Sequence, residues 1–553
     1  MVRATFSGFN TALSALQANQ KRLDITGQNL SNMNTAGYTR QQLEASSLNY
    51  TNPVSHYSNG NEIAVGFGVS MDRVSQIRDP YLDIQYRSQS ADCSYTNRLQ
   101  TALNSLSKVL DETTISGIRQ AFDDIQSTLT SMQDPAKVSD PIYESELRTK
   151  MQSVCNLFNQ ASRQITQAEQ NEFQRLTGEG SSEQGDVQKI NDILRQIGDL
   201  NVQIKRNQVA GHPSLELQDE RNLLLDELSG YIPVETRYYK DDAHSGNNAY
   251  DYDANGAVIG KKDWPDDLEV SMNYIDAQGK SQKLILVNGS DLGAKGLTKN
   301  YGQLSMLKGD HQPAASVSDP ANISIKFEKA PSYQGNGQAD VYADLKGIHF
   351  EGGSLQASLD MLQKKGTGNV INGSVDDVRG YQYYSEKLDQ LASTFAKSMN
   401  DINNGKNLTN RNLLSNSTDD STKDITAGNI GISKGWTSGT IHISTDGTNR
   451  TDTILKMIAA MKDTTELKGK TFADYMNNLS TQLASDSSSN QTALKTGTTV
   501  LNSIQDSRDS LSGVSLDEEA TNMMAYVSAY NAASRLMTAL DEVLNTLISN
   551  TGA

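Results

Sequence analysis

Apolar residues near the start of the chain recur at a tight helical spacing. Phe6, Phe9, Leu13, Leu16, Leu23 and Leu30 advance by steps of 3, 4, 3, 7 and 7, with Gln20 and Gly27 where the series would continue. So narrow a stripe is a coiled-coil seam rather than the broad face of a globular helix. The far end carries a counterpart: Leu516, Met523, Val527, Tyr530, Met537, Leu540, Leu544 and Leu547, with no Gly or Pro between Gly513 and Gly552. Ser515 and Glu518 fit a capping box, and Asp517, Glu518 and Glu519 complement the positive end of the helix dipole. Ordering costs roughly 1–2 kcal/mol per residue, and each buried large apolar residue returns about 1.5–3 kcal/mol. The two terminal helices are therefore expected to pair, to be covered further by neighbouring copies, and to order on assembly.

Between the ends the pattern stays helical as far as Tyr231. A helix over 79–112 opens at Asp79-Pro80. A second spans 117–133 and stops at Asp134-Pro135. A third covers about 141–176, where Leu147, Met151, Val154, Phe158, Ala161, Ile165 and Ala168 alternate by four and three. After the break "GEGSSEQG" comes Val187, Ile190, Leu194, Ile197 and Ile204. "LELQDERNLLLDELSG" then closes on Gly230 as an expected C-cap. Residues 232–351 differ: Pro, Gly and Asp punctuate short alternating runs such as "KLILVNG" and "ISIKFE", a β-rich signature. Helical patterns return at "GGSLQASLDML" and "YYSEKLDQLASTFAKSMNDINN". A polar stretch follows from about 404, and helices resume at "TDTILKMIAAMKD" and over 471–510.

The expected fold is mainly α, elongated, with discontinuous domains of long amphipathic helices, paired N- and C-terminal coiled-coil helices and an inserted β-rich domain. Residues 1–40 and 505–553 form the terminal helical unit. Residues 41–231, 352–403 and 446–504 form a helical rod-like unit. Residues 232–351 form the β-rich domain, and 404–445 a small insert or linker.

Composition narrows the function. A formal charge of −17 opposes phosphate backbones, so nucleic acid is not an expected partner. No apolar run approaches the roughly 18 residues of a membrane span, and no signal-peptide core follows Arg3, so membrane insertion is not expected. With 36% hydrophobic residues, 6% aromatic residues and a mean hydropathy of −0.56, thin elements fit better than a thick catalytic core. Cys93 and Cys155 read as small packing residues, with one disulfide open to them.

Residues 29–41, "NLSNMNTAGYTRQ", place a rigid turn after the first helix. Gly37 can take a positive φ, and Asn29, Asn32 and Asn34 can bond local backbone. Thr35 belongs to the same turn. Tyr38 offers an apolar ring with a polar tip, and Arg40 can pair with a carboxylate. This segment resembles the Asn-rich, Thr-x-Gly-aromatic signature of bacterial flagellar axial proteins. "SGVSLDEEATNMMAYVSAYNAASRLMTALDEVLNTLI" (512–548) looks like their C-terminal helix. Tyr38-Thr39-Arg40-Gln41, "SGVSLDEE" and "LELQDERNLLLDELSGYIPVET" resemble the hook-associated members in particular. The resemblance implies a structural protein that self-assembles into a ring or tube segment joining hook to filament. It implies the hook protein and a neighbouring hook-associated junction protein as partners, export without a cleaved signal, and an export chaperone on the C-terminal helix. Both terminal stripes and the 29–41 turn would then be assembly surfaces.

Other chemistry finds little support. "DYDANG" (251–256) imitates a calcium loop, but Lys262 stands where the twelfth-position Glu belongs, so a hairpin turn is expected. The six histidines (His56, His212, His244, His311, His349, His442) never pair at ligand spacing. "GTGNVING" lacks dinucleotide-loop spacing. No cofactor, metal or catalytic residue is expected, and the chain is not expected to be an enzyme. The rival readings are a hook, rod or flagellin-like axial protein, a coiled-coil signalling protein, disfavoured by the missing membrane span, and an enzyme, disfavoured by the lack of a convergent site.

Overall fold

The computed structural model describes residues 7–551 except 49–67, 111, 179–182, 211, 241–249, 253–257, 262–265, 277, 290–298, 309–310, 312–319, 332–339, 345–346, 372–373, 406–409 and 446–447. It begins with α1 (Ser7–Asn32), followed by β1 (Gln41–Ser47) and β2 (Val69–Gln76). These strands form an antiparallel hairpin on α1, closed where Leu48 N–H donates to the Gly68 carbonyl at 2.9 Å. The helical unit expected from residue 41 therefore starts later. Leu43 and Ala45, and Val69 and Met71, do alternate with period two, but a register shift at Glu44/Ala45 breaks the pattern and hides it.

Helices α2 (Pro80–Val109), α3 (Glu112–Ser131), α4 (Pro135–Val138) and α5 (Pro141–Thr177) follow. Asp-Pro opens three of them for one reason. The Asp carboxylate accepts the N–H two residues on (Tyr81 2.9 Å, Ala136 3.0 Å, Ile142 2.9 Å), and Pro fills a position whose N–H would go unused. Gly178, at φ 76°, ends α5 in the left-handed conformation. Next come α6 (Asp186–Val209) and α7 (Leu215–Tyr231). Gly230 is not a C-cap: α7 runs through it to Tyr231, and extended Ile232 ends the helix. A Cβ at Gly230 would lie 3.3 Å from Ser94 Oγ, so the glycine's role is to let α2 close on α7.

The β-rich stretch comprises β3 (Glu235–Lys240), β4 (Tyr250–Tyr252), β5 (Val258–Lys261), β6 (Asp266–Ile275), β7 (Ser281–Asn288), β8 (Gln303–Lys308), β9 (Ile323–Glu328) and β10 (Val341–Ala343). Two antiparallel sheets, β3-β6-β7 and β10-β9-β8, are joined at the Val287–Tyr301 bridge. Paired β4 and β5 flank the "DYDANG" turn, most of which lies outside the described residues. Helix α6 is fastened to both sheets by amide side chains. Asn191 donates to the Leu304 carbonyl (2.8 Å) and accepts its N–H (2.7 Å), while Asn201 donates to the Leu268 carbonyl (3.3 Å).

The chain returns to helices through α8 (Ser354–Gln363), the small pair β11 (Val370–Ile371) and β12 (Ser374–Val375), and α9 (Tyr381–Asn404). Then β13 (Leu414–Asn416), β14 (Ile430–Ile432) and α10 (Lys434–Thr437) form the insert. It packs on α5 through fully buried Trp436, whose indole N–H donates to Glu144 at 2.8 Å. Finally α11 (Asp452–Lys462), α12 (Phe472–Ser512) and α13 (Leu516–Thr551) bring the chain back beside α1. The architecture is mainly helical with small antiparallel sheets, and one continuous core runs through helices and sheets alike. Both cysteines are buried and unpaired, and burial pushes the Cys155 thiol up to about 12.

Helices α3, α5, α9 and α12 meet at Phe122, Phe158, Phe395 and Phe472. The Phe122 ring lies 5.2 Å from Phe395 edge-on, 5.6 Å from Phe472 in a stack and 6.0 Å from Phe158. Phe122→Ala should cost about 3–5 kcal/mol of unfolding free energy in denaturant titration. A loss under about 1 kcal/mol would mean the body does not depend on this contact.

Candidate functional site

The turn after α1 is built around one buried amide. Asn29 Nδ2 donates to the Gln41 carbonyl at 3.0 Å and to Glu519 Oε2 at 3.3 Å. Its Oδ1 accepts the Gln41 N–H at 3.0 Å and the Tyr38 hydroxyl at 2.9 Å. The helix end, the hairpin start and α13 are thus held by a single fully used side chain. Arg40 completes the attachment, with Nε 2.8 Å from Glu519, Nη1 2.7 Å from Glu518, and its N–H donating to the Ser512 carbonyl at 2.9 Å. Glu518 N–H makes a long 3.5 Å bond to Ser515 Oγ, so half the expected capping box forms. The Glu518 carboxylate is spent on Arg40 instead. Gly37, at φ 78°, lets the chain pass over Leu223 of α7. Asn32 caps the helix end locally, donating to the Gln28 carbonyl (3.0 Å) and accepting the Thr35 hydroxyl (3.3 Å). Asn34 is exposed.

A charged chain continues from the turn into the body. Thr39 donates its N–H (3.0 Å) and hydroxyl (2.6 Å) to Asp219 of α7. Burial pushes the Asp219 carboxyl up, against the pull of the Thr39 bonds. Arg78 lies 2.5 Å from Asp83 and 3.8 Å from Asp219. Arg508, near the end of α12, spans Asp83 (3.1 Å) and Asp226 (2.7 Å), and its guanidinium sits 4.2 Å from the Tyr86 ring centre. Arg87 closes the chain on Asp226 at 2.8 Å. A cleft of about 860 Å³ opens above these groups, with half-exposed Met33 and Leu223 among its lining residues.

Helices α1 and α13 run antiparallel in one register. A Cβ at Gly8 would lie 3.3 Å from Leu540, Arg22 covers Tyr526, and Asn29 meets Glu519. Each step along α1 is matched by an equal step back along α13. The buried face of α1 is made mostly of small and polar residues, Ala12, Ala18, Asn19, Thr26 and Asn29, with Ile25 as its large apolar member. The other large residues are less covered: Leu13 is 46% exposed, and Phe9, Leu16, Leu23 and Leu30 are half-buried. Phe6 lies outside the described residues. Gln20 is exposed and Gly27 faces open space, so neither sets register with α13.

The expected C-terminal stripe is not one face. Met537, Leu540 and Leu544 are half-buried, as is Met523, whereas Leu516 (55%), Val527 (43%) and Tyr530 (37%) are exposed. The Leu547 side chain lies outside the described residues. A seven-residue repeat drifts about 20° per heptad around a straight helix, so Leu516 and Leu544 are turned about 80° apart. Met524, Leu536, Val543 and Ile548 are exposed as well.

The same segments stand out in comparison with known proteins. Residues 9–39 match the model described as "Flagella basal body rod protein", and 507–550 that described as "Flagellar basal body rod FlgEFG protein C-terminal". Residues 103–413, more than half the chain, match "Flagellar hook-associated protein FlgK helical domain". The chain belongs to the FlgK family of flagellar hook-associated proteins. Flagellar hook-associated protein 1 of Bacillus subtilis (strain 168) is 28% identical over 99% of both chains. The protein of that name from Salmonella typhimurium is 29% identical over 41% of this chain and 38% of its own length. The structure of the flagellar hook junction protein FlgK from Burkholderia pseudomallei aligns with 61% of this chain and 45% of its own, at 19% identity and a TM-score of 0.38, too loose a match to support the fold.

This FlgK-family chain is a structural component of the flagellum, and its rod-like terminal segments associate it with other axial proteins. No helix among the described residues is long and apolar enough to cross a membrane. No group of three or more His, Cys, Asp or Glu residues that could hold a metal occurs among them. The charged groups behind the turn were not singled out from sequence. Their signal was the helical spacing of three and four that puts Asp83 with Arg87, and Asp219 with Asn222 and Asp226, on one side of each helix.

Two outcomes test the attachment. Asp226→Ala leaves buried Arg87 without a carboxylate partner and Arg508 with Asp83 alone, and should cost about 3–5 kcal/mol in chemical denaturation; a neutral result would show that water replaces the carboxylate freely. Burial, with Glu216, Asp219 and Glu519 nearby, raises the Tyr38 hydroxyl to about 12. The folded state therefore holds this proton more tightly than the unfolded chain, whose tyrosine titrates near 10. That contribution is complete below pH 10 and is lost as pH rises toward 12. Tyr38→Phe should flatten this part of the stability profile, and an unchanged slope in that window would remove Tyr38 as its source.

Proposed function

We propose that the chain builds the segment of the flagellar axis joining hook to filament, through self-assembly of its α1–α13 pairs into a ring or tube. The observation carrying this reading is the exposed apolar surface of that pair. Leu516, Val527 and Tyr530 lie along one flank of α13, while Leu536 and Val543 lie along the other. Leu13 is open on α1. An exposed large apolar surface of this extent marks an interaction face. The terminal matches to rod-protein models support an axial role in general; the match over 103–413 supports the hook-associated position over a rod or hook identity.

Within this reading the copies above and below the ring are the hook protein and a neighbouring hook-associated junction protein. An export chaperone would hold α13 beforehand, because a Met- and Leu-bearing helix face released into the cytoplasm promotes self-association. Location outside the cell on the flagellum follows from the same proposal, as does a mechanical rather than catalytic role.

Removing residues 516–553 supplies the test. Cells making only this truncated chain should lack filaments, while the purified body keeps the cooperative unfolding of the full-length chain. Filaments at normal number and length would overturn the proposal.

A further inference from the structure

A groove runs along α2 where it faces β6 and the β3 entry. Ile84, Ala91, Pro233, Val234, Tyr274 and Ile275 give it an apolar floor, and its volume is about 420 Å³. It continues into a second hollow of about 400 Å³ that shares Ile275 and Glu351 and reaches Tyr95, Gln356, Asp360 and Lys364. Asp92 and Glu351 stand on the rim where the two meet, both exposed and neither with an ion-pair partner among the described residues. The backbone holds them near each other. Gly353 N–H donates to the Ala91 carbonyl at 2.8 Å, and Gly352, at φ 92°, lies so close that a Cβ would be 3.3 Å from Asp92 Oδ1. Glu235 adds a third carboxylate to the same rim. Although Asp92 is exposed overall, its carboxyl is partly desolvated in the groove, and this, with Glu351 beside it, pushes the carboxyl up.

The inner end holds a polar group with nothing to bond. His349 lines the second hollow and is 7% exposed, and neither ring nitrogen has a hydrogen-bond partner. Its neighbours are committed. Asp360 accepts from Tyr95 (2.8 Å) and Gln356 (2.7 Å) and pairs with Lys364 (3.3 Å), and Lys364 also donates to the Val375 carbonyl (3.1 Å). Asp377 is 3.6 Å from the same ammonium. A buried, unpartnered imidazole in the second hollow, apolar lining residues and two unpaired carboxylates at the waist describe a site for a cation carried on an apolar stem.

We propose that this groove docks a basic peptide segment of a partner protein, one lysine or arginine head lying between Asp92 and Glu351 and its flanking apolar side chains on Ile84, Val234 and Tyr274. Charge complementarity selects this occupant. Asp92 and Glu351 face no cation of this chain at the waist, and a second acidic or purely apolar segment would leave them unpaired; Glu235, which accepts from Asn273 at 2.5 Å, adds negative charge beside them. The surface is on the body, apart from the α1–α13 pair, so it goes beyond the assembly reading and does not depend on it.

The test uses the full-length chain labelled at histidine Cε1, with the His349 signal assigned by His349→Gln. The probes are acetyl-Leu-Arg-Leu-amide and acetyl-Leu-Glu-Leu-amide. The basic peptide should shift the His349 signal saturably while the acidic one leaves it unmoved. Asp92→Asn combined with Glu351→Gln should weaken the basic peptide by at least about tenfold, as loss of a charge-assisted contact requires. Both side chains are on the rim, so an unchanged unfolding midpoint is expected and verifies the fold. No shift with the basic peptide, an equal shift with the acidic one, or full affinity in the double variant would each overturn the proposal.

Discussion

The attachment of the terminal helices to the body is polar, and the rest of the arrangement follows from that. Asn29 alone satisfies groups from the helix end, the hairpin and α13, and Arg40 adds two carboxylates of α13. Hydrogen-bonded and ionic contacts are directional, whereas apolar contacts can slide. A polar root therefore fixes the angle at which α1 and α13 leave the body while adding little apolar burial. The charged chain from Thr39 through Asp219, Arg78, Asp83 and Arg508 to Asp226 extends the same anchoring into α2, α7 and α12.

The energetics of the two parts differ accordingly. The body has a continuous core in which Phe122, Phe158, Phe395, Trp436 and many aliphatic residues are fully buried, so it can hold its fold as a single copy. The pair α1–α13 buries mainly small and polar residues fully and covers its large apolar residues only in part. Small residues let two helices approach closely but return little hydrophobic free energy, about 25 cal/mol per Å² of apolar surface. The surface that could stabilise the pair is the surface it presents outward. A chain built this way folds its body alone and leaves an apolar strip exposed on the α1–α13 pair.

The sequence pattern disclosed the parts of this design that depend on short-range spacing. The Asp79-Pro80 opening of α2, the four-three alternation of α5 and the change of composition after Tyr231 are local signals, and the structure has a matching element at each; Asp134-Pro135, read only as a stop, also opens the short α4. The turn chemistry of Gly37 and the ion pairing of Arg40 were also readable, because a glycine between a polar turn and an aromatic, followed by a cation, restricts the possibilities. The hairpin over 41–76 escaped because its bulge interrupts a two-residue period over very short strands. Gly230 misled because a glycine near a helix end has two explanations, a left-handed cap and a close helix crossing, and only the position of Ser94 distinguishes them. The charged root was invisible as a unit, since Arg78, Asp219 and Arg508 meet only after the chain has gone out and returned.

The divided stripe of α13 carries one more consequence. On a straight helix the seven-residue repeat slews, so it turns progressively toward α1 from exposed Leu516 to half-buried Leu544. A single partner cannot cover such a stripe unless the helix supercoils to keep the seam in line. In the lone chain α1 half-covers Met523, Met537, Leu540 and Leu544, and Leu516, Val527 and Tyr530 are left over. A strict heptad persists usefully only where another helix follows it round, and left-handed winding is the sense in which a 3.5-residue period does so. The repeat on α13 and the face that α1 covers therefore diverge along the helix, and the proposed assembly of α1–α13 pairs would supply the missing cover.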